Sequence, residues 1–250
     1  MTDDNAVRLN KFLAERLGIS RREADDWIAA GKVLVNGGTP VLGARIDKSD
    51  EVCYNGSMES LRKTGMTGDF VRSSDGRVII PSGVDYVYLA LNKPVGYVCS
   101  RRSQDGVPTV YELLPEGFRE LKTVGRLDKD SSGLILLTND GDFAYRMTHP
   151  SFTKTKLYEV ELDRGLEPLH QQMIADFGVD LPDGKSQLGL ERVDESRKRW
   201  RVTMHEGRNR QIRRTFGALG YAVVRLHRVR FGKYELSGLG EGEFTEVKRA

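Results

Sequence analysis

Near the start of the chain, apolar positions recur every three and four residues in two successive stretches; further on they give way to alternating or unbroken runs. Leu9, Phe12, Leu13 and Leu17 make one helical stripe, and Ala24, Trp27 and Ile28 make a second. Ser20-Arg21-Arg22-Glu23 has the form of a capping box for the second helix, and Gly31 supplies its left-handed stop. Lys32-Val33-Leu34-Val35 then reads as a strand, with Asn36-Gly37 as its turn. The pattern predicts a compact module over residues 7–56. Residues 57–83 are rich in Gly, Ser and Thr with little apolar periodicity, which is the composition of a linker, so a domain boundary is expected there. In the remainder, 84–250, strand-like runs alternate with short helices. Tyr86-Val87-Tyr88-Leu89-Ala90-Leu91 leads into a turn set by Asn92-Lys93-Pro94-Val95-Gly96, and Tyr158-Glu159-Val160-Glu161-Leu162 and Tyr221-Ala222-Val223-Val224 follow. The expected fold is α+β: a small helical/β domain, then a mixed, mostly antiparallel sheet with flanking helices.

Gly125-Arg126-Leu127-Asp128-Lys129-Asp130-Ser131-Ser132-Gly133-Leu134 stands out from this background. It holds a carboxylate, Asp128, in a glycine-bounded turn just before the apolar run Leu134-Ile135-Leu136-Leu137. An apolar run of this kind reads as a buried strand, and a charged group at its mouth is held rigidly beside low-dielectric surroundings. Asp128 is therefore a candidate nucleophile. A turn in which Asp128 only bonds its own backbone fits this segment equally well. A calcium loop is the other alternative, since Asp128, Asp130, Ser132, Gly133 and Ile135 fall on suitable positions. The twelfth position, however, is Asn139 rather than an acid, and a strand rather than a helix follows.

Composition narrows the class of protein. At 38% hydrophobic residues, with no apolar run long enough to cross a bilayer, the chain is expected to be soluble and without a membrane partner. Its polar start, and two cysteines (Cys53, Cys99) without metal or disulfide spacing, suit a reducing cytoplasm. His149, His170, His205 and His227 are scattered, so no metal is expected. The net charge of +3 conceals a concentration: residues 192–233 carry thirteen Lys or Arg against three acids. Guanidinium groups at that density pair with phosphates, and a polyanion is the natural partner. By contrast, the first 35 residues balance six basic against six acidic side chains, so RNA binding there requires segregation onto one face.

Two further segments bear on chemistry. A period of two in Lys156–Leu162 puts Tyr158, Val160 and Leu162 on one inward face, either as core or as the wall of a site. A helix expected over Arg208–Gly220 carries Ile212, Phe216 and Leu219 on its apolar side and Arg210, Arg213 and Arg214 on the other. Arginines beside a buried carboxylate keep it ionised.

Together, Gly-Arg-Leu-Asp followed by Ser-Gly-Leu, Lys-x-Tyr-x-Val, Asn-Lys-Pro-x-Gly and Glu-Gly-Arg-Asn-Arg-Gln-Ile-Arg-Arg resemble the pseudouridine synthases of ribosomal RNA. The module over 7–56 resembles the small RNA-binding domain first seen in the fourth protein of the small ribosomal subunit. The resemblance spans nearly the whole chain. It implies cleavage of the bond between uracil N1 and the ribose, rotation of the held base, and rejoining through carbon five, with no cofactor. Carried over residue by residue, it makes Asp128 the catalytic aspartate, Tyr158 the residue that stacks on the target base, and Arg213 the ion-pair partner of Asp128. Ile212 would line the uracil pocket, Arg126 would sit beside the vacated base stack, and Arg208, Arg210 and Arg214 would contact RNA. In the amino-terminal module Arg8, Lys11, Arg21, Arg22 and Lys32 are the expected contacts. The implied partner is rRNA or a ribosome assembly intermediate, more in the manner of the large-subunit enzymes, and the chain is expected to be a monomer. A small-subunit enzyme, a transfer-RNA enzyme and a non-catalytic rRNA binder are the alternatives. The chain departs from the family at 57–83, a longer and more polar connection than expected, where a hinge is predicted.

Overall fold

The computed structural model describes residues 6–47, 49–56, 71–72, 77–80, 86–103 and 105–250. The chain divides into two compact units, Met1–Tyr86 and Val87–Ala250.

In the first unit, β1 (Val7–Arg8) leads into α1 (Leu9–Leu17), and α2 (Arg21–Ala29) follows. The expected stripes are the buried ones: Leu9, Leu13 and Leu17 on α1, and Ala24, Trp27 and Ile28 on α2. The Ser20 side chain accepts from the Glu23 backbone N–H at 3.1 Å, and Gly31, at φ +66°, takes the left-handed turn after α2. Strands β2 (Val33–Val35) and β4 (Val52–Tyr54) pair antiparallel, while β3 (Arg45–Ile46) pairs with β1. Two more strands, β5 (Val71–Arg72) and β6 (Val78–Ile79), complete a four-stranded sheet in the order β2-β4-β6-β5. They fall inside the stretch read as a linker, and the buried Val78 and Ile80 join the core of this unit. The rest of 57–83, apart from residues 77 and 80, lies outside the described residues, and so does most of the expected hinge.

The second unit is built on β7 (Tyr88–Lys93), β8 (Lys122–Val124), β9 (Ser132–Thr138), β10 (Lys156–Leu162), β13 (Gly189–Arg192), β14 (Arg199–Met204), β15 (Val223–Phe231), β16 (Tyr234–Glu235) and β17 (Phe244–Glu246). These make a nine-stranded sheet whose main path runs β13-β14-β10-β15-β9-β7-β17. All of its pairings are antiparallel except β9 with β15. A separate hairpin, β11 (Val179–Leu181) with β12 (Gly184–Ser186), packs near the arginine-rich helix.

Strand β9 shows why its sequence is apolar without interruption. Ile135 and Leu137 join the larger core with Leu89, Tyr158, Val160 and Trp200. Leu134 and Leu136 face the other way, onto Phe143 and Met147 of the helix α3 (Gly141–Thr148). A strand covered on both faces has no polar position to alternate with. The Asp128 loop is thereby anchored to one of the most deeply buried segments of the chain. After the short helix α4 (Pro168–Gln172), the arginine-rich helix α5 spans Gln211–Ala218 and buries Ile212, Thr215 and Phe216. It begins later than the expected Arg208, because Arg210 adopts a left-handed conformation (φ +46°) just ahead of it. Arg208 and Arg210 consequently obey no helical periodicity.

Among the described residues, no helix is long and apolar enough to cross a membrane.

Candidate active site

A cleft of about 460 Å³ opens where the β8–β9 loop, the start of β10, the start of α5 and the end of β15 converge. Asp128, Tyr158, Ile212, Arg126 and Arg210 all line it. That volume lies in the range of small-molecule pockets.

The Asp128 loop is fixed by its backbone. Asp128 O accepts from the Ser131 N–H at 3.1 Å, closing the turn. Lys129 O accepts from the Gly96 N–H at 2.8 Å, so the Asn92–Gly96 turn props the loop. Lys93, fully buried, donates through Nζ to Ser131 O at 2.6 Å and to Pro94 O at 2.9 Å. Arg213 donates from Nη2 to Asp130 O at 2.7 Å and from Nη1 to Val223 O at 2.6 Å, tying the loop to the start of α5 and the start of β15. Held this way, the Asp128 side chain remains 33% exposed and faces the cleft. A reactive group whose support comes from rigid elements keeps its geometry at little entropic cost during reaction.

The cation beside Asp128 is Arg210 rather than the Arg213 expected from the resemblance. Arg210 Nη1 lies 3.5 Å from Asp128 Oδ2, and the same guanidinium grips Asp130 with two hydrogen bonds of 2.9 and 2.8 Å. Arg213 makes its carboxylate contact with Asp130, at 3.4 Å, and is only 13% exposed. The reason is the position of the helix start. A left-handed Arg210 aims its side chain at the loop, a backbone conformation that costs roughly 1–3 kcal/mol for a non-glycine residue and is found preferentially at functional sites. The hydrogen bonds from Arg210 hold the Asp130 carboxyl below the ordinary carboxylate value, with Arg213 adding to the effect. Since Asp130 engages guanidinium groups, the arrangement gives no support to a calcium loop.

Arg208 and Arg214, expected as RNA contacts, converge instead on Asp183 of the β11–β12 turn. Arg214 pairs with its carboxylate at 2.9 and 2.7 Å. Arg208 donates to the carbonyls of Asp183, Gly184 and Lys185 at 3.0, 2.9 and 2.8 Å. The two side chains clamp the hairpin to α5, and that leaves Arg208 with little donor capacity for a ligand.

Tyr158 is buried in β10, as its period-two position requires, and reaches the cleft from the sheet surface. Ile212, buried at the first turn of α5, forms an apolar wall, and Arg126 stands exposed at the rim. Three cations, Lys93, Lys156 and Arg228, carried no assigned role in the sequence. Lys93 carries a pKa lowered to about 8, chiefly by burial. Lys156 is lowered to about 8 by burial and then by Arg228. Arg228 itself is 2% exposed on the cleft floor. The signal for Lys93 was a lysine closing an otherwise apolar strand, Leu89-Ala90-Leu91-Asn92-Lys93. Arg228 gave none, because it sits between Arg225 and Arg230 in β15.

Family comparison agrees with this geometry. A family model described as RNA pseudouridylate synthase matches residues 87–218, and an S4 domain model matches residues 7–52. A ribosomal small subunit pseudouridine synthase A from Pasteurella multocida is 36% identical over 247 residues, covering 96% of each chain. A ribosomal large subunit pseudouridine synthase B from Bacillus subtilis is 32% identical over 246 residues, covering 96% of this chain and 91% of the relative. A solved pseudouridylate synthase superposes with a TM-score of 0.63 at 32% identity, covering 97% of this chain and 96% of the other. The matched region contains the Asp128 loop, the Tyr158 strand and the arginines of α5, and the likeness extends over nearly the full length: this chain belongs to the RNA pseudouridylate synthase family, with an S4 domain at its amino-terminal end.

Proposed function

We propose that this chain isomerises a specific uridine of ribosomal RNA to pseudouridine. Asp128 is the catalytic carboxylate, Tyr158 the ring on which the target base stacks, and Arg210, backed by Arg213, the cationic support. Asp128 acts on the sugar or the base when the bond from N1 to C1′ breaks, and Ile212 helps to confine the detached uracil until C5 is joined to C1′. The observation that carries this reading is the Asp128 carboxylate facing a cleft of about 460 Å³ from a loop whose backbone is fastened at Lys129, Asp130 and Ser131.

A uridine within folded RNA must be flipped out to reach such a cleft, at a cost of roughly a few kcal/mol. Exposed Arg126 at the rim suits the space the base vacates. The amino-terminal unit supplies further grip. Arg21 and Arg22 occupy the first turn of α2 and are exposed, where positive charge opposes the helix dipole at about 0.3–1 kcal/mol each. Basic residues retained against that cost suit phosphate contact, together with exposed Arg8 and Lys32, and Lys11, which lies 4.0 Å from Glu15. The chain acts in the cytoplasm as a monomer, on rRNA or an assembly intermediate. Large-subunit rRNA is the expected substrate and small-subunit rRNA the alternative; relatives acting on each have comparable identity.

The test is tritium release from C5-labelled uridine in separate small- and large-subunit rRNA transcripts. Release from the large-subunit transcript is expected. Tight binding to both without release, from transcripts and from assembly particles alike, would instead favour a non-catalytic rRNA-binding factor.

A further inference from the structure

Arg228 is a buried cation at the floor of the cleft, without a counter-ion among the described residues. It is 2% exposed, and its Nε donates to Leu134 O at 2.7 Å. Its guanidinium packs over the Phe231 ring, 4.8 Å from the centroid, while its buried Nη2 has no hydrogen-bond partner among the described residues. A desolvated guanidinium with an idle donor is costly unless something arrives to complete it.

Its position indicates what arrives. Arg228 stands directly opposite Tyr158 in the antiparallel register of β10 and β15. Cross-strand partners project from the same face, with Cβ atoms about 5 Å apart. On its other side Arg228 is paired with Gly133, which carries no side chain. A planar base stacked on Tyr158 would therefore present an edge to Arg228. Leu226, two residues earlier, continues the same face as an apolar surface.

We propose that Arg228 binds a carbonyl oxygen of the target uracil and stabilises the negative charge that the base acquires when it leaves the ribose. This inference rests on the proposed function. As the C1′–N1 bond breaks, its electron pair departs with the uracil and is shared among N1, O2 and O4. C1′ either bonds to an Asp128 oxygen or, if Asp128 takes the 2′ proton, becomes part of a C1′–C2′ double bond. After rotation C5 bonds to C1′, the C5 proton leaves, N1 gains one, and Asp128 returns to its starting state. Charge resides on the base only between the two bond changes, so a fixed cation there favours the high-energy species over the bound uridine.

The test compares wild type, Arg228→Gln and Arg228→Lys under single-turnover conditions. The substrates are an RNA carrying uridine at the target position and the same RNA carrying 5-fluorouridine, whose base is the better leaving group. For Arg228→Gln, RNA affinity is expected within about threefold of wild type, with the rate on uridine lowered by about 10²–10³-fold, the usual loss for one donor to a developing oxyanion. On 5-fluorouridine, followed by conversion of the nucleoside, the loss should shrink to about tenfold or less, since less charge stabilisation is required. Arg228→Lys should fall between, and it decides the case if the glutamine variant lacks a cooperative unfolding transition. Equal losses on the two bases, or weakened RNA binding at an unchanged rate, would overturn the proposal. Absence of turnover by wild type would defeat the proposed function instead.

Discussion

Gly133 and Arg228 face each other across the parallel pairing of β9 and β15 so closely that a Cβ on Gly133 would lie 2.3 Å from the Arg228 carbonyl oxygen. Gly133 also has φ +104°, a conformation that side chains disfavour. No flexible side chain is available to yield, because the obstructing atoms are backbone. Gly133→Ala should destabilise the catalytic unit by about 2–4 kcal/mol, the scale of a backbone clash in a packed core. Denaturant titration would check this; a change under about 0.5 kcal/mol would mean that the strands separate more readily than the packing implies.

The Arg210–Asp130 pair sets an acid limb of stability. The Asp130 carboxyl is held below its ordinary value, first by hydrogen bonds from Arg210, so its contribution is complete above the ordinary carboxylate range and fades as pH falls through the lowered value. Arg210→Met should lower stability at neutral pH and make the decline below pH 4 shallower than in wild type. Because the Asp130 side chain is 46% exposed, the effect should stay under about 1 kcal/mol. Thermal melts from pH 2.5 to 7 would measure it, and parallel curves for the two proteins would contradict it.

Lys93 should produce a slope of the same sign at alkaline pH. Burial lowers it to about 8 from 10.5, so between those values the unfolded chain binds more protons and stability rises with pH. Lys93→Met should remove that rise, moving the stability difference in favour of wild type as pH increases from 7.5 to 10. It also strips a donor from Ser131 O beneath Asp128, and activity should fall at least about tenfold as the loop shifts. Retained activity with a flat pH difference would show that the loop does not depend on this lysine.

Reversing charge on α2 should separate grip from chemistry. Arg21→Glu with Arg22→Glu should weaken rRNA binding by at least about tenfold and reduce the salt slope of binding by about two, while single-turnover rates at saturating enzyme stay unchanged. Filter binding across a salt series would check this, and unchanged affinity would remove α2 from the interface.

Much of this arrangement was legible from pattern. The period of two in Lys156–Leu162 placed Tyr158 inward, and the unbroken run after Gly133 marked a strand buried on both faces, with Asp128 at its mouth. Where expectation failed, the cause was a local backbone event or a pairing between residues distant in the sequence. A left-handed Arg210 shortened α5 and exchanged the expected roles of Arg210 and Arg213, while Asp183, distant in sequence, claimed Arg208 and Arg214. Lys93 and Arg228 were hidden because a charged residue in a strand reads as exposed, and only the folded sheet makes them buried.

The central claim is that Asp128 performs chemistry rather than closing a turn. Wild type and Asp128→Asn should be compared for affinity and single-turnover tritium release on the rRNA transcript that wild type modifies. The expected result is affinity within a few-fold and release abolished in the variant. Release by Asp128→Asn at a rate near that of wild type would contradict it.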